Sequence, residues 1–102
     1  MKEIDFSKLT YNNFVTHPGI MLKDELKARK IKQVDFANHI GKQKSHLNEI
    51  IKAKRNINAE WAILIELSLG VSANFWINAQ NNWDINVALS NMHNLYLKSI
   101  NP

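Results

Sequence analysis

The sequence predicts an all-α protein of five or six helices, and three observations support this. Glycine and proline are scarce, with three and two copies among 102 residues. Apolar residues recur three and four positions apart, whereas alternating β-branched segments are few. The apolar fraction of 45% is typical of a folded globular chain. We therefore expect one domain with a modest core.

Start and stop signals place each helix in turn. An irregular arm is expected over residues 1–16, followed by the helical domain over residues 17–102. The predicted helices cover about residues 18–30, 33–40, 44–52, 59–69, 73–81 and 84 onward. Residues suited to start the first, fourth, fifth and sixth helices are Pro18, Asn58, Ser72 and Asp84. Gly41 and Gly70 follow the second and fourth helices, where a left-handed residue commonly ends a helix.

The positive charge of the chain is concentrated in residues 42–55. The net charge is +4, and this stretch of 14 residues carries five basic side chains against one acid. The remaining 88 residues carry eight basic and eight acidic side chains. A concentrated basic patch indicates a polyanionic partner, and a solvated lysine-rich helix face is the alternative interpretation.

The second and third helices are predicted to form a helix-turn-helix. A small core between two steeply crossing helices would be closed by Phe36, Ala37, Ile40, Leu47 and Ile50. Ala37 would lie at the crossing, and Gly41 would allow a sharp turn between the helices. An ordinary helical hairpin with solvated lysines is the alternative.

A helical wheel of the third helix identifies candidate DNA contacts. At about 100° per residue, the side chains directed away from Leu47 are Ser45, Asn48, Glu49 and Lys52. Because the N-terminal part of this helix enters the major groove in such motifs, we expect Lys44, Ser45 and Glu49 at base edges. The residues expected at phosphates are Gln33, Gln43, Lys52, Lys54 and Arg55.

Three members of this set have alternatives or lesser roles. Glu49 is either a base contact or a spacer that pairs with a cation. His46 is placed near the DNA backbone, with a plain surface histidine as the alternative. Asn48 completes the predicted DNA-binding set on the outward side of the helix.

From His17 to about Ile85 the chain resembles the HigA/VapI type of antitoxin, a branch of the Xre/Cro-like helix-turn-helix proteins. The matching segments are HPGIMLKDEL at 17–26, SHLNEIIKAKRNI at 45–57, IELSLG at 65–70 and FWINAQNNWDI at 75–85. The most diagnostic run holds Phe75, Trp76, Asn78, Gln80 and Asp84. The resemblance implies an Xre/Cro-like domain that dimerises, binds a palindromic operator in its own promoter, and neutralises a small basic RelE-like ribonuclease toxin.

The chain departs from the usual pattern of these antitoxins at five positions. Lys30 and Ala53 stand where glycine is usual, so altered or strained helix ends are expected there. Lys32 replaces a capping serine or threonine, Lys42 an apolar residue, and Ile20 a glutamate.

The sequence also suggests surfaces for protein partners. The fourth helix is apolar nearly all round, so we expect a two-fold homodimer built from residues beyond Asn58. The surface left for a toxin is the arm and the exposed side of the first helix. The apolar residues of the arm are Phe6, Leu9, Tyr11 and Phe14. Packing of the arm onto its own domain is the alternative.

Other classes of protein find no support in the sequence. The absence of cysteine excludes a disulfide scaffold, and the four histidines form no close metal-ligand pair, so we expect no metal and no other cofactor. No glycine-rich phosphate loop or nucleophile–base arrangement indicates an enzyme. The N-terminal residues hold no signal-peptide core, and no apolar run is long enough for a bilayer. A cytoplasmic protein without a membrane partner is therefore expected.

Two other functions stay open at this point. One is a free-standing transcriptional regulator without a toxin. The other is a protein-interaction module whose helix-turn-helix no longer binds DNA, against which the basic patch at 42–55 argues.

Overall fold

Five α-helices form the computed structural model, which describes residues 3–100. After a 3₁₀ turn at Phe6–Lys8, the helices are α1 (Pro18–Ala28), α2 (Gln33–His39), α3 (Lys44–Ile51), α4 (Ala59–Leu69) and α5 (Ala73–Ile100). This confirms the predicted all-α class, and the first four predicted helices agree with the structure to within two residues. The outer ends of the predicted arm and domain, residues 1–2 and 101–102, lie outside the described residues.

The predicted break between a fifth and a sixth helix is wrong, because α5 is one helix of 28 residues. Asp84, the expected cap, lies inside α5 and accepts a hydrogen bond from Nε2 of Gln80 at 2.9 Å. The sequence holds no glycine or proline between Gly70 and Pro102, so nothing forces the helix to end. Within residues 3–100, no helix is long and apolar enough to cross a membrane.

The core lies between α1, α2, α3, α4 and the first part of α5. The five residues predicted to close the helix-turn-helix are all buried in it: Phe36, Ala37, Ile40, Leu47 and Ile50. Trp61 of α4 and Trp76 of α5 are buried beside them. Burial of a large apolar side chain contributes about 1.5–3 kcal/mol, so the two tryptophans and their neighbours fix α3 on the rest of the domain.

The start of α1 approaches the end of α3 very closely. A Cβ atom on Gly19 would overlap the carbonyl oxygen of Ile50 and lie 2.6 Å from its carbonyl carbon. His17 caps the same helix, since its Nδ1 accepts the backbone N–H of Gly19 at 2.9 Å. The imidazole is buried and meets the edge of Trp83 at 5.4 Å between ring centroids. Glycine at this position therefore sets the distance between α1 and α3.

Four helices end on a residue in the left-handed conformation. Gly41 and Gly70 adopt φ of +70° and +80°, as predicted. Lys30 and Ala53 both adopt φ of +59°, which confirms the altered helix ends expected from the missing glycines. The left-handed conformation costs a residue with a Cβ atom about 1–2 kcal/mol. At Lys30, Gly41 and Ala53 the turn is stabilised because the next residue donates to a carbonyl five positions earlier, as Lys54 does to Glu49 at 2.8 Å.

The N-terminal arm packs along the second half of α5. The backbone N–H of Asn12 donates to Oδ1 of Asn86 at 2.7 Å, and Nδ2 of Asn86 donates back to the Asn12 carbonyl at 2.9 Å. The ring of Tyr11 lies 5.7 Å from that of His93. Phe14, by contrast, is 89% exposed. Of the two alternatives for the arm, the structure shows packing against its own domain, with Phe14 the most exposed of its three aromatic side chains.

Candidate nucleic-acid interface

Helix α3 presents a polar side to solvent. Its inner residues Leu47, Ile50 and Ile51 are buried. The outward positions divide into exposed side chains, Lys44, Ser45 and Lys52, and half-buried ones, Asn48 and Glu49. The helical wheel therefore gave the correct side, with two positions partly covered by neighbours. Gln43 is exposed just before the helix, and its side chain makes no capping bond to the first turn.

Ion pairs neutralise part of the basic stretch 42–55. Nε of Arg55 lies 2.7 Å from Oε2 of Glu49, and Lys42 pairs with Glu60 of α4. Within this stretch, the exposed cations that form no ion pair with another described residue are Lys44, Lys52 and Lys54. The Arg55 pair holds the Glu49 carboxylate on the surface of α3, which favours the pairing role of Glu49 over base contact.

His46 packs between α3 and α4. Its ring is half-buried and lies 4.7 Å from the ring of Trp61, at an interplanar angle of 49°. Burial lowers the pKa of His46, the Arg55 charge lowers it further, and Glu49 opposes them. The histidine therefore helps to fix α3 on α4. No three potential ligands meet in a metal-binding arrangement in the part of the chain that the structure describes.

The start of α2 lies beside the start of α3. Gln33 is the first residue of α2 and is half-buried. Lys32 precedes it without a side-chain capping bond, as expected for a position that lacks serine or threonine. Gln33 and Lys44 line the same groove. Two residues predicted separately as DNA contacts are thus brought together on one surface.

Gln80 anchors the loop that carries Lys54 and Arg55. Its side chain is 4% exposed, and its Oε1 accepts the backbone N–H of Ile57 at 2.8 Å. Its Nε2 donates to the carboxylate of Asp84, one turn further along α5. The sequence marks both residues as diagnostic, but it gives no role for Gln80 and predicts Asp84 as a helix cap instead of a partner of Gln80. The available signal was a glutamine on the apolar face of a helix, where a buried amide requires partners.

The comparisons with known proteins agree with this architecture. Residues 22–76, from α1 to the start of α5, match the helix-turn-helix family model HTH_3. Virulence-associated protein I of Dichelobacter nodosus is 32% identical over 73 residues, which are 71% of this chain and 68% of that protein. These matches agree with the expectation that the chain is not an enzyme.

Two solved structures are similar over most of their length. An addiction module antidote protein of the HigA family from Coxiella burnetii has a TM-score of 0.74 at 28% identity, covering 86% of this chain and 97% of that one. The Pseudomonas aeruginosa antitoxin HigA, solved with the higBA promoter, has a TM-score of 0.71 at 30% identity, covering 74% and 84%. This chain belongs to the Xre/Cro-like helix-turn-helix family, in its HigA/VapI branch.

Proposed function

We propose that this chain is a HigA-like antitoxin that binds operator DNA as a homodimer and represses its own toxin–antitoxin operon. The observation that carries the proposal is the exposed polar side of α3, flanked by Lys44, Lys52 and Lys54. It lies on a fold shared with an antitoxin that was solved with its promoter. Lysines without ion-pair partners on such a surface release counterions when they meet DNA phosphates.

The proposed contacts follow from the position of each side chain. Lys44 and Ser45, exposed in the first turn of α3, read base edges in the major groove. The phosphate contacts are Gln33, Gln43, Lys52, Lys54 and Arg55. Glu49 orients Arg55 through their 2.7 Å ion pair, so it affects DNA binding through that side chain.

A seam of apolar residues on α5 supports the homodimer. Ile85, Ala88, Met92 and Leu95 are spaced alternately by three and four residues, which is the spacing of a coiled-coil contact. Ile85 is 59% exposed and Leu95 is 66% exposed. Among 28 residues, α5 carries only two charged side chains, and the cores of protein interfaces are similarly depleted of charge. We propose that this seam pairs with its copy and places the two α3 helices about 34 Å apart.

The toxin contact is proposed for the arm. Phe14 projects into solvent from a segment that α5 holds in place, beside a groove of about 540 Å³. The groove is lined by α5 residues such as Phe75 and Asn78, and it shares Ile85 with the proposed seam. An exposed aromatic side chain at the edge of a largely apolar groove suits a protein partner. The partner proposed from the family resemblance is a small basic RelE-like ribonuclease.

The experiment separates the two activities. A variant with K44A, K52A and R55A is expected to lose binding to the promoter but still rescue cells that express the neighbouring toxin. Phe14→Ser is expected to keep promoter binding and impair rescue, since an exposed side chain adds little to folding. Loss of rescue by the folded triple variant would place the toxin on the DNA surface. A locus without a toxin gene would leave a free-standing regulator, and a wild-type chain that binds no promoter would indicate an interaction module.

A further inference from the structure

A groove lined by lysines lies between α1, the start of α2 and the start of α3. It has a volume of about 430 Å³ and is lined by eight residues, among them Lys23, Lys27, Lys32 and Lys44. Half of these residues are lysines, and none of them is acidic. We call this surface the lysine groove.

The sequence hides this concentration of charge. Lys23 and Lys27 flank Asp24 and Glu25, so the segment has no net charge in the sequence. In the structure, Glu25 pairs with Arg29 at 2.7 Å, and neither side chain lines the groove. Lys23 and Lys27 are four residues apart and share one side of α1, whereas neither Asp24 nor Glu25 lines the groove. Four lysines therefore line the lysine groove without an acidic neighbour in its lining, and this excess of positive charge favours a polyanionic partner.

The groove opens towards the proposed DNA surface. Gln33 and Lys44, both proposed DNA contacts, line it together with Lys23 and Lys27 of α1. The apolar floor formed by Leu26 and its neighbours suits the alkyl stems of lysines whose ammonium groups reach outward. We propose that Lys23 and Lys27 bind phosphates of the operator backbone, as an extension of the proposed DNA-binding function on which this inference rests.

The proposal changes the assignment of the surface of α1. The sequence alone predicts the exposed side of the first helix as part of the toxin contact. A basic ribonuclease would be repelled by the lysine groove, whereas phosphodiester groups would be attracted. The positive charge of the groove therefore favours DNA as its partner.

The first test is the salt dependence of promoter binding by K23A/K27A. Two lysines in each protomer of a dimer account for four phosphate contacts, so the log–log slope should become less steep by about 3.6. When salt rises from 50 to 200 mM, the affinity of each protein falls by some factor. For the variant this factor should be about 100 times smaller than for the wild type. K8A/K98A is the matched control, since it removes the same charge from the 3₁₀ turn and the last turn of α5. K23R/K27R should keep the wild-type slope.

A second test locates the contacts on the DNA. Neutral methylphosphonate linkages are placed one at a time in the promoter duplex, and affinity is measured for the wild type and for K23A/K27A. In each half-site, some neutral linkages should reduce the affinity of the wild type but leave the affinity of K23A/K27A unchanged. The proposal fails if K23A/K27A and K8A/K98A give the same slope while the wild type binds the promoter. It also fails if K23A/K27A keeps the DNA contacts but loses toxin binding. A wild type that binds no promoter would instead overturn the proposed function itself.

Discussion

The two ends of this small protein are built differently. From α1 to Gln80 in α5, apolar side chains are buried in one core. The arm and the rest of α5 contain no fully buried residue among those described, although they hold Phe14, Ile85 and Leu95. The first region therefore supplies the stability that fixes α3. The second contributes apolar surface that the isolated chain leaves in water, which is the expected property of a region that contacts partners.

The largest effect is expected in the first region, from Gly19→Ala. The added methyl group would overlap the Ile50 carbonyl, and the backbone of α3 would have to move. We expect a loss of about 3 kcal/mol or more in the free energy of unfolding, measured by urea denaturation. Gly41→Ala is the matched control, because no atom would contact the added methyl group. The left-handed φ of +70° alone should then reduce stability, by about 1–2 kcal/mol. Equal losses for the two variants would show that α1 and α3 are not held at this distance.

Gln80→Ala should have the next largest effect. It leaves the backbone N–H of Ile57 buried without its partner, which costs about 1–3 kcal/mol. Since the same loop carries Lys54 and Arg55, promoter affinity should fall as well. Asn78→Ala, at an exposed position of the same helix, serves as the control and should stay within about 0.5 kcal/mol of the wild type. A Gln80 variant as stable as this control would contradict the anchoring role.

Acid should weaken the first region through His17. Burial lowers the pKa of His17 below its usual 6.5, and Asp84 only partly opposes this shift. The unfolded chain therefore takes up a proton more readily than the folded one, and the free energy of unfolding should fall as the pH drops below about 6.5. His17→Asn keeps an acceptor for the Gly19 N–H but does not titrate, so it should flatten this part of the pH profile. An unchanged pH profile would show that His17 does not cause the loss of stability in acid. His46, whose pKa is also lowered, would then be the candidate.

The smallest effect on stability is expected in the second region, from Asn86→Ala. This change removes both hydrogen bonds between Asn86 and the backbone of Asn12, yet all the groups lie at the surface. The free energy of unfolding should change by about 0.5 kcal/mol or less. The arm, however, should exchange its amide hydrogens faster and be cut more readily by proteases. A stability loss as large as that of Gln80→Ala would mean that the arm belongs to the core.

The contrast between the two regions also explains what could be predicted from the sequence. Local signals sufficed for α1 to α4, since caps such as Asn58 and stops such as Gly70 act within a few residues. The helix start predicted at Asp84 is wrong, because the sequence cannot distinguish an aspartate that caps a helix from one inside a helix. The contact with Gln80 distinguishes them. The lysine groove and the contact of Gly19 with Ile50 depend on residues far apart in sequence. Periodicity reports which side of a helix is buried, not which other helix lies there.

The most direct test of the account is the number of chains on one operator. Sedimentation velocity with a labelled promoter duplex should show two wild-type chains bound to one palindromic site. I85K/L95K changes only exposed positions of the seam, so it should remain folded, become monomeric and bind the same duplex more weakly. A wild-type chain that binds as a monomer, or that binds no promoter at physiological salt, would contradict the proposal that this protein is a dimeric operator-binding antitoxin.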